Sequence, residues 1–283
     1  MKILVFGRTG QVAREIAAAA DVVSLGREAA PLDVPGAVTR AIRDHAPDAI
    51  VNAAAYTAVD KAEEETDLAM RINGDAPGEM ARAAAERSIP FVHISTDYVF
   101  DGTGTRAWAP GDAVSPVNAY GRTKRAGEEA IAAAGGCSAI LRTAWVFSAH
   151  GQNFVKTMLA LSETRDELRI VDDQIGGPTP AADIAAACLT MARALRDAPE
   201  KAGIYHFSGA PETSWRDFAQ VIFEMSGARM KVDGIPTADY PRPAPRPLNS
   251  RMDCESLGAA FGIARPDWRA GLGRVLETLK ATG

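Results

Sequence analysis

Ile3-Leu4-Val5-Phe6-Gly7-Arg8-Thr9-Gly10-Gln11-Val12-Ala13 decides how the rest of the chain is read. Four apolar residues ending at a glycine have the look of a buried parallel strand. An alanine-rich stretch through Ala20 follows with the pattern of a helix. Strand, tight glycine turn and helix together are the context a dinucleotide fingerprint requires. Gly7 permits the turn, and Gly10 lets the backbone approach a pyrophosphate at the helix N-terminus. Ala13 holds the third position, which needs only a residue small enough for close helix–strand packing. The motif alone also fits a plain strand–turn–helix unit, so its weight comes from its surroundings.

Residues 22–25 read as the next strand. A site that prefers NAD usually carries an acid at the end of this strand for the ribose 2′-hydroxyl. Here Gly26-Arg27 stands there instead. Arg27 can accept the 2′-phosphate of NADP; Glu28 beside it counts the other way, and a solvated loop arginine is the competing reading. Asp33 is a candidate for the adenine edge. A helix over 35–45 leads into a strand over 49–52, closed by Ala53-Ala54-Ala55 and the polar pair Tyr56-Thr57. Small side chains at the C-terminal edge of a parallel sheet leave room for a ligand. Helices over 59–73 and 76–87 precede a strand over 91–95, in which His93 reads as a packed residue. Thr96-Asp97-Tyr98 follows at the C-terminal end, where such sheets keep their chemistry.

Tyr120 and Lys124 come after Pro116, just inside the next helical stretch. Four residues on a helix puts both side chains on one face. A phenol beside an ammonium is expected to have its pKa lowered and to exchange a proton with a carbonyl oxygen near neutral pH. Thr96 can hydrogen-bond the same oxygen. YxxxK is common by chance, and its setting is what raises it to a candidate site. Residues 139–142 read as a strand that continues through 143–147. Strands alternating with helices over 1–150 predict an α/β fold, a Rossmann-type doubly wound parallel sheet.

From residue 151 the pattern changes. A helix over 153–162, a strand over 168–171 and a polar connection over 172–180 lead to a helix over 183–194. A strand over 203–207 follows, and Ser214-Trp215-Arg216-Asp217 opens a further helix to residue 225. Residues 234–247, with five prolines, are predicted to be an extended stretch outside any ladder. Residues 1–150 are therefore expected to form the dinucleotide-binding domain. Residues 151–283 are expected to form mainly a smaller substrate-binding lobe, from which the chain can cross back to the first domain, with a cleft between.

The composition narrows the partners. A chain of 283 residues with a net charge of −5 has no nucleic-acid-binding balance. Cys137, Cys188 and Cys254 lie far apart without metal-ligand spacing, which argues against disulfides or zinc and for a reducing cytoplasm. No apolar run reaches membrane-spanning length, and the first is too short for a secretory leader. A cytoplasmic protein without nucleic-acid or membrane partners is expected.

Longer motifs then carry a resemblance. GRTGQVA at 7–13, VNAAAYTAVDKAE at 51–63, STDYVFDG at 95–102 and SPVNAYGRTKRAGE at 115–128 run through the first half. LRTAWVF at 141–147, NFVKTML at 153–159, VDDQIGGPT at 171–179 and RPLNS at 246–250 continue through the second. Together they resemble the extended short-chain dehydrogenase/reductases, and within them the reductases of nucleotide-linked 4-keto-6-deoxy sugars. The resemblance implies reduction of the 4-keto group of a dTDP-linked 4-keto-6-deoxyhexose to dTDP-L-rhamnose by NADPH or NADH. It makes Thr96, Tyr120 and Lys124 the catalytic trio. Tyr120 would donate a proton to O4 as hydride arrives at C4, Thr96 would polarise the ketone, and Lys124 would hold the nicotinamide ribose. Gly7, Thr9, Gly10, Gln11, Val12, Asp33, Val34, Ala53, Ala54, Ala55, Tyr56 and Thr57 map onto the cofactor site, with Arg27 beside them. Val59, Asp97, Tyr98, Trp145, Arg246 and Asn249 map onto the sugar-nucleotide pocket, Arg246 as a diphosphate clamp. The resemblance admits a monomer or a homodimer, the latter bridged by a divalent metal such as Mg2+ through Glu15. Ala181-Ala182-Asp183 does not supply a matching second carboxylate. A sugar-nucleotide epimerase or dehydratase is the nearest competing reading, but a dehydratase would want a glutamate after Asp97. A non-catalytic NADP-binding regulatory subunit is the other, and the intact trio argues against it.

Overall fold

The structure, a computed structural model, describes residues 1–282. In chain order the first half runs β1 (Ile3–Phe6), α1 (Gln11–Ala19), β2 (Val23–Leu25), α2 (Ala37–His45) and β3 (Ala49–Asn52). It continues through α3 (Thr66–Met70), α4 (Ala76–Glu86), β4 (Phe91–Thr96), α5 (Ala119–Ala134) and β5 (Ser138–Thr143). The second half begins with β6 (Val146–Phe147), α6 (Phe154–Ser162), β7 (Glu167–Val171), β8 (Ile175–Gly176) and β9 (Thr179–Pro180). Next come α7 (Ala181–Asp197), β10 (Gly203–Phe207), β11 (Thr213–Ser214), α8 (Trp215–Ser226) and β12 (Lys231–Ile235). β13 (Asn249–Ser250), α9 (Glu255–Phe261) and α10 (Trp268–Thr282) complete it.

Six strands form one parallel sheet in the order β10-β5-β4-β3-β1-β2. Its strands are apolar on both faces because helices cover both, as a parallel sheet demands. Ile3, Val5, Val51 and Val92 pack toward α1 and α7, whereas Leu4, Phe6, Ile50 and Phe91 pack toward α2 and α4. The order reverses between β1 and β3, so the crevice beyond their C-terminal ends is the expected ligand position. Residues 181–207 return to this sheet: α7 joins the core on the α1 side, and β10 pairs with β5. A second core gathers Phe147, Val155, Leu168, Phe218, Phe223, Trp268 and Leu272 from the remaining C-terminal segments.

Three local expectations are corrected. β5 ends at Thr143 and residues 144–147 do not continue it: the chain breaks at Trp145, whose φ is +50°, and β6 pairs instead with β9. An unbroken apolar run gives no sign of that kink. The stretch 59–73 is not one helix but a 3₁₀ turn over Lys61–Glu63 and then α3. α3 runs through a π-helical turn over Arg71–Asp75 directly into α4, so two expected helices are joined. The proline-rich stretch begins one step later than expected, since Gly234 and Ile235 still pair with β7. Among the described residues no helix is long and apolar enough to cross a membrane.

Candidate active site

The cavity beyond β1 and β3 has a volume of about 740 Å³. One end is built by Gly7 to Val12. Gly7 has φ +120°, and a Cβ there would lie 3.2 Å from Ala13 Cβ and from the Ala53 carbonyl carbon. The turn thus needs glycine for conformation and for the close approach of β3. α1 has no side-chain cap at Gly10, and a Cβ at Gly10 would meet nothing within 4 Å. Its first-turn N–H groups face open space, a setting that favours an anion. Ala53, Ala54, Ala55, Tyr56 and Thr57 line the next wall, with Arg27 and Asp33 at the rim.

The other end is lined by Thr96, Asp97, Tyr98, Tyr120 and Lys124. Thr96 closes β4; its hydroxyl donates to Asp97 Oδ1 at 3.0 Å and accepts from Tyr98 N at 3.2 Å. Tyr120 arrives on the first turn of α5, which Asn118 caps by accepting from Gly121 N at 2.8 Å. A Cβ on Gly121 would come within 2.2 Å of Tyr98 O, so only glycine lets α5 press against the segment after β4. That contact seats the phenol beside Thr96. Tyr120 and Tyr98 meet edge to face at 5.5 Å.

Lys124 is 2% exposed, and its Nζ donates to Ile94 O at 2.7 Å and meets His93 Nε2 at 3.0 Å. Burial brings it down to about 8, against the pull of Glu128 one turn further along α5. Tyr120 moves the opposite way from the expectation. Burial raises it to about 12, the Thr96 hydroxyl lowers it, and Asp97 raises it further. The physical reason is geometric: the ammonium expected to acidify the phenol is directed at His93 and a backbone carbonyl. His93 is correspondingly more than a packing residue. Tyr98 is likewise raised by burial.

Asp97 is buried and pushed up to about 6 by that burial, although Ser250 donates to its Oδ2 at 2.5 Å and Thr96 to its Oδ1. Its folded-state pKa lies above the unfolded value, so the folded chain binds more protons between pH 4 and 6 and loses stability as pH rises there. Asp97→Asn removes this dependence. Relative to wild type, the variant is expected to gain on the order of 2–3 kcal/mol between those pH values. Denaturation curves at each pH check it; a constant difference across the window contradicts it.

Other candidates are placed as follows. Thr9, Val12, Val59 and Trp145 line the cavity, and Trp145 stacks on Trp215 at 3.7 Å. Gln11 lines it too, and its side-chain oxygen accepts from Ser148 Oγ and Asn153 Nδ2. Tyr56 donates its hydroxyl to Glu65, a bond that raises it to about 12. Val34 is exposed and outside the cavity lining. Asn249 is also outside: its amide donates to Thr103 O and Arg106 O, so it braces a loop. Arg246 lines an adjoining cavity of about 470 Å³ and pairs with Asp60 at 2.9 Å. Tyr98, Phe154 and Trp215 are common to both cavities. Sequence reasoning did not single out Phe154 and Trp215, which sit in helical patterns, or Ser250, the last residue of the RPLNS motif, as site residues. Glu15 stands 3.9 Å from His150, and among the described residues no group of three or more His, Cys, Asp or Glu could hold a metal, so nothing supports a Mg2+ bridge.

The residues fit a dinucleotide. The helix terminus without a side-chain cap and Thr143 Oγ1, a buried hydroxyl without a partner among the described residues, suit polar ligand groups, and the alanine wall leaves room beside them.

The family model described as the RmlD substrate binding domain matches residues 1–281. The dTDP-4-dehydrorhamnose reductase of Sinorhizobium fredii is 44% identical over 293 aligned positions, covering 100% of this chain and 99% of that protein. A crystal structure of such a reductase from Clostridium acetobutylicum superposes with a TM-score of 0.93 at 37% identity, covering 99% of this chain and 100% of the other. One from Bacillus anthracis in complex with NADP gives 0.90 at 31% identity, covering 98% and 99%.

Proposed function

The chain belongs to the RmlD substrate-binding-domain family, and from that premise we propose that it is an NAD(P)H-dependent reductase converting dTDP-4-dehydrorhamnose to dTDP-L-rhamnose. The observation that carries this reading is the position of Thr96 and Tyr120. They line the cavity suited to a dinucleotide beside Tyr98, which that cavity shares with a second one lined by Arg246.

In this reading the bound cofactor supplies the hydride. Gly7 to Val12 cradle its pyrophosphate with backbone N–H groups, and Ala53 to Thr57 leave space along its length. Lys124 holds the nicotinamide ribose hydroxyls. Thr96 donates to the sugar O4 and polarises the C4 ketone, and Tyr120 delivers its proton to O4 as the alkoxide forms. A phenol raised to about 12 suits this direction, since it stays protonated at neutral pH until a stronger base develops beside it. Arg246 reaches the diphosphate, a role its planar donor fork fits. Residues 1–150 then serve mainly the cofactor and 151–283 mainly the sugar nucleotide.

NADPH is the preferred donor in this account. Glu28, which weakened the case for Arg27, is held by Arg8 at 2.9 Å, while Arg27 is exposed on the cavity lining and makes no ion pair among the described residues. Arg27→Ala is expected to raise KM for NADPH roughly tenfold, the low end for a charge-assisted hydrogen bond, and to leave NADH unchanged. Parallel KM measurements with both cofactors check it.

The function itself is tested by mixing the protein with the dTDP-linked 4-keto-6-deoxy sugar and following absorbance of the reduced nicotinamide. Consumption together with formation of dTDP-L-rhamnose supports the proposal. Tight NADPH binding without turnover would point to another keto sugar or to a regulatory subunit.

A further inference from the structure

Asn52, at the end of β3, has an amide whose orientation is fixed. Its Oδ1 accepts from Ala54 N at 3.1 Å, which turns Nδ2 toward His93 Nδ1, also at 3.1 Å. An amide nitrogen only donates, so Nδ1 must present its lone pair. The ring is fully buried and held well below its ordinary pKa by that burial, so it is a neutral imidazole. A neutral imidazole has one N–H, here on Nε2, and Nε2 faces Lys124 Nζ at 3.0 Å. An N–H can bond Nζ only where the nitrogen keeps its lone pair. An ammonium would set donor against donor. We propose that His93 is a positioning residue for Lys124: the tautomer imposed by Asn52 makes Nε2–H donate to Nζ and so favours the uncharged amine over the ammonium in the cofactor-free protein.

The surroundings agree. One amine hydrogen goes to Ile94 O at 2.7 Å, which leaves a second for a hydroxyl in the cavity that Lys124 lines. The charged and titratable groups facing Lys124 are few. His93 comes from β4, and Tyr120 and Glu128 lie one turn to either side on α5. Glu128 favours the ammonium, but its carboxylate is engaged by Arg142 from β5 at 2.9 and 2.6 Å and by Ser95 at 2.5 Å. Burial acts in the same direction as the tautomer, bringing Lys124 to about 8. The consequence for catalysis rests on the reductase reading: charge on Lys124 is then governed by what ionises or binds beside it. The ionisation itself needs no turnover to be seen.

The experiment is NMR on the full, cofactor-free chain carrying 13Cε-lysine and 15N-histidine. Lys124 is assigned by its loss in Lys124→Arg. The proposal expects the Nε2–H tautomer at His93 and a Lys124 midpoint near pH 8, well below the other lysines. In His93→Gln a side-chain carbonyl can face Nζ and accept from the ammonium, so the midpoint should move up by a unit or more. An Nδ1–H tautomer, an ordinary lysine midpoint, or an unchanged midpoint in His93→Gln overturns it. If that variant does not fold, the wild-type tautomer and midpoint still decide. A chain inactive on the keto sugar would contradict the reductase reading and leave these signals as they are.

Discussion

Tyr120→Phe is expected to lower kcat by a factor of roughly 10²–10⁴, the usual contribution of a positioned general acid. The phenol stands beside the Thr96 hydroxyl and against the edge of Tyr98, in the wall of the larger cavity. Phenylalanine keeps the ring contact and removes only the hydroxyl that carries the proton. Binding of NADPH and of the sugar nucleotide should therefore change little, and the loss should appear in kcat with KM nearly constant. Thr96→Val is expected to lose less, since it removes polarisation of the ketone but not the proton. A Tyr120→Phe protein with full turnover would remove the proton donor from the account.

Glu128→Gln is expected to destabilise the fold by about 3–5 kcal/mol, because it leaves the guanidinium of Arg142 buried beside a neutral amide. The two side chains are 5% and 3% exposed and form a bidentate pair. Glu128 also accepts from Ser95 Oγ, while Arg142 donates to Pro110 O and lies over the Phe100 ring at 5.1 Å. His206 next to it is kept neutral, lowered to about 4 by burial and by Arg142, and cannot compensate. The pair therefore ties α5, β4 and β5 together directly beneath the Lys124 site. Replacing both partners, as Glu128→Met with Arg142→Met, should cost less than the single change, since no uncompensated charge remains. Urea denaturation of the two variants and the wild type measures this. Equal losses for the single and double variants would mean the ion pair contributes little beyond packing.

Much of the fold was readable because local and global signals coincide. The run Ile3–Phe6 with Gly7 and an uncapped helix yields β1, the turn and α1 as the pattern predicts. Pro116 and Asn118 place the start of α5, and with it the spacing of Tyr120 and Lys124. Ser214 caps α8 by accepting from Asp217 N at 3.0 Å. What was not readable depends on partners distant in sequence. Trp145 leaves the β5 path because its ring stacks on Trp215, seventy positions away, and the residues after it pair with β9. The direction of the Tyr120 shift could not be read from YxxxK spacing, since it depends on where Nζ points, and that is settled by His93 and Ile94 O. Asn249 sits in a motif associated with the sugar pocket, yet its amide is consumed by the Thr103–Arg106 loop. Motif spacing locates a residue; burial and hydrogen-bond partners decide what its side chain is free to do.

The most direct test of the reductase account follows a deuterium atom. The protein is given NADPH carrying deuterium at the transferable C4 position of the nicotinamide, together with the dTDP-linked 4-keto-6-deoxy sugar, and the product is examined by NMR. The account predicts one deuterium at C4 of the sugar, in dTDP-L-rhamnose, with the oxygen-bound proton drawn from solvent through Tyr120. Deuterium remaining on the cofactor, or a product formed without label at C4, would contradict it.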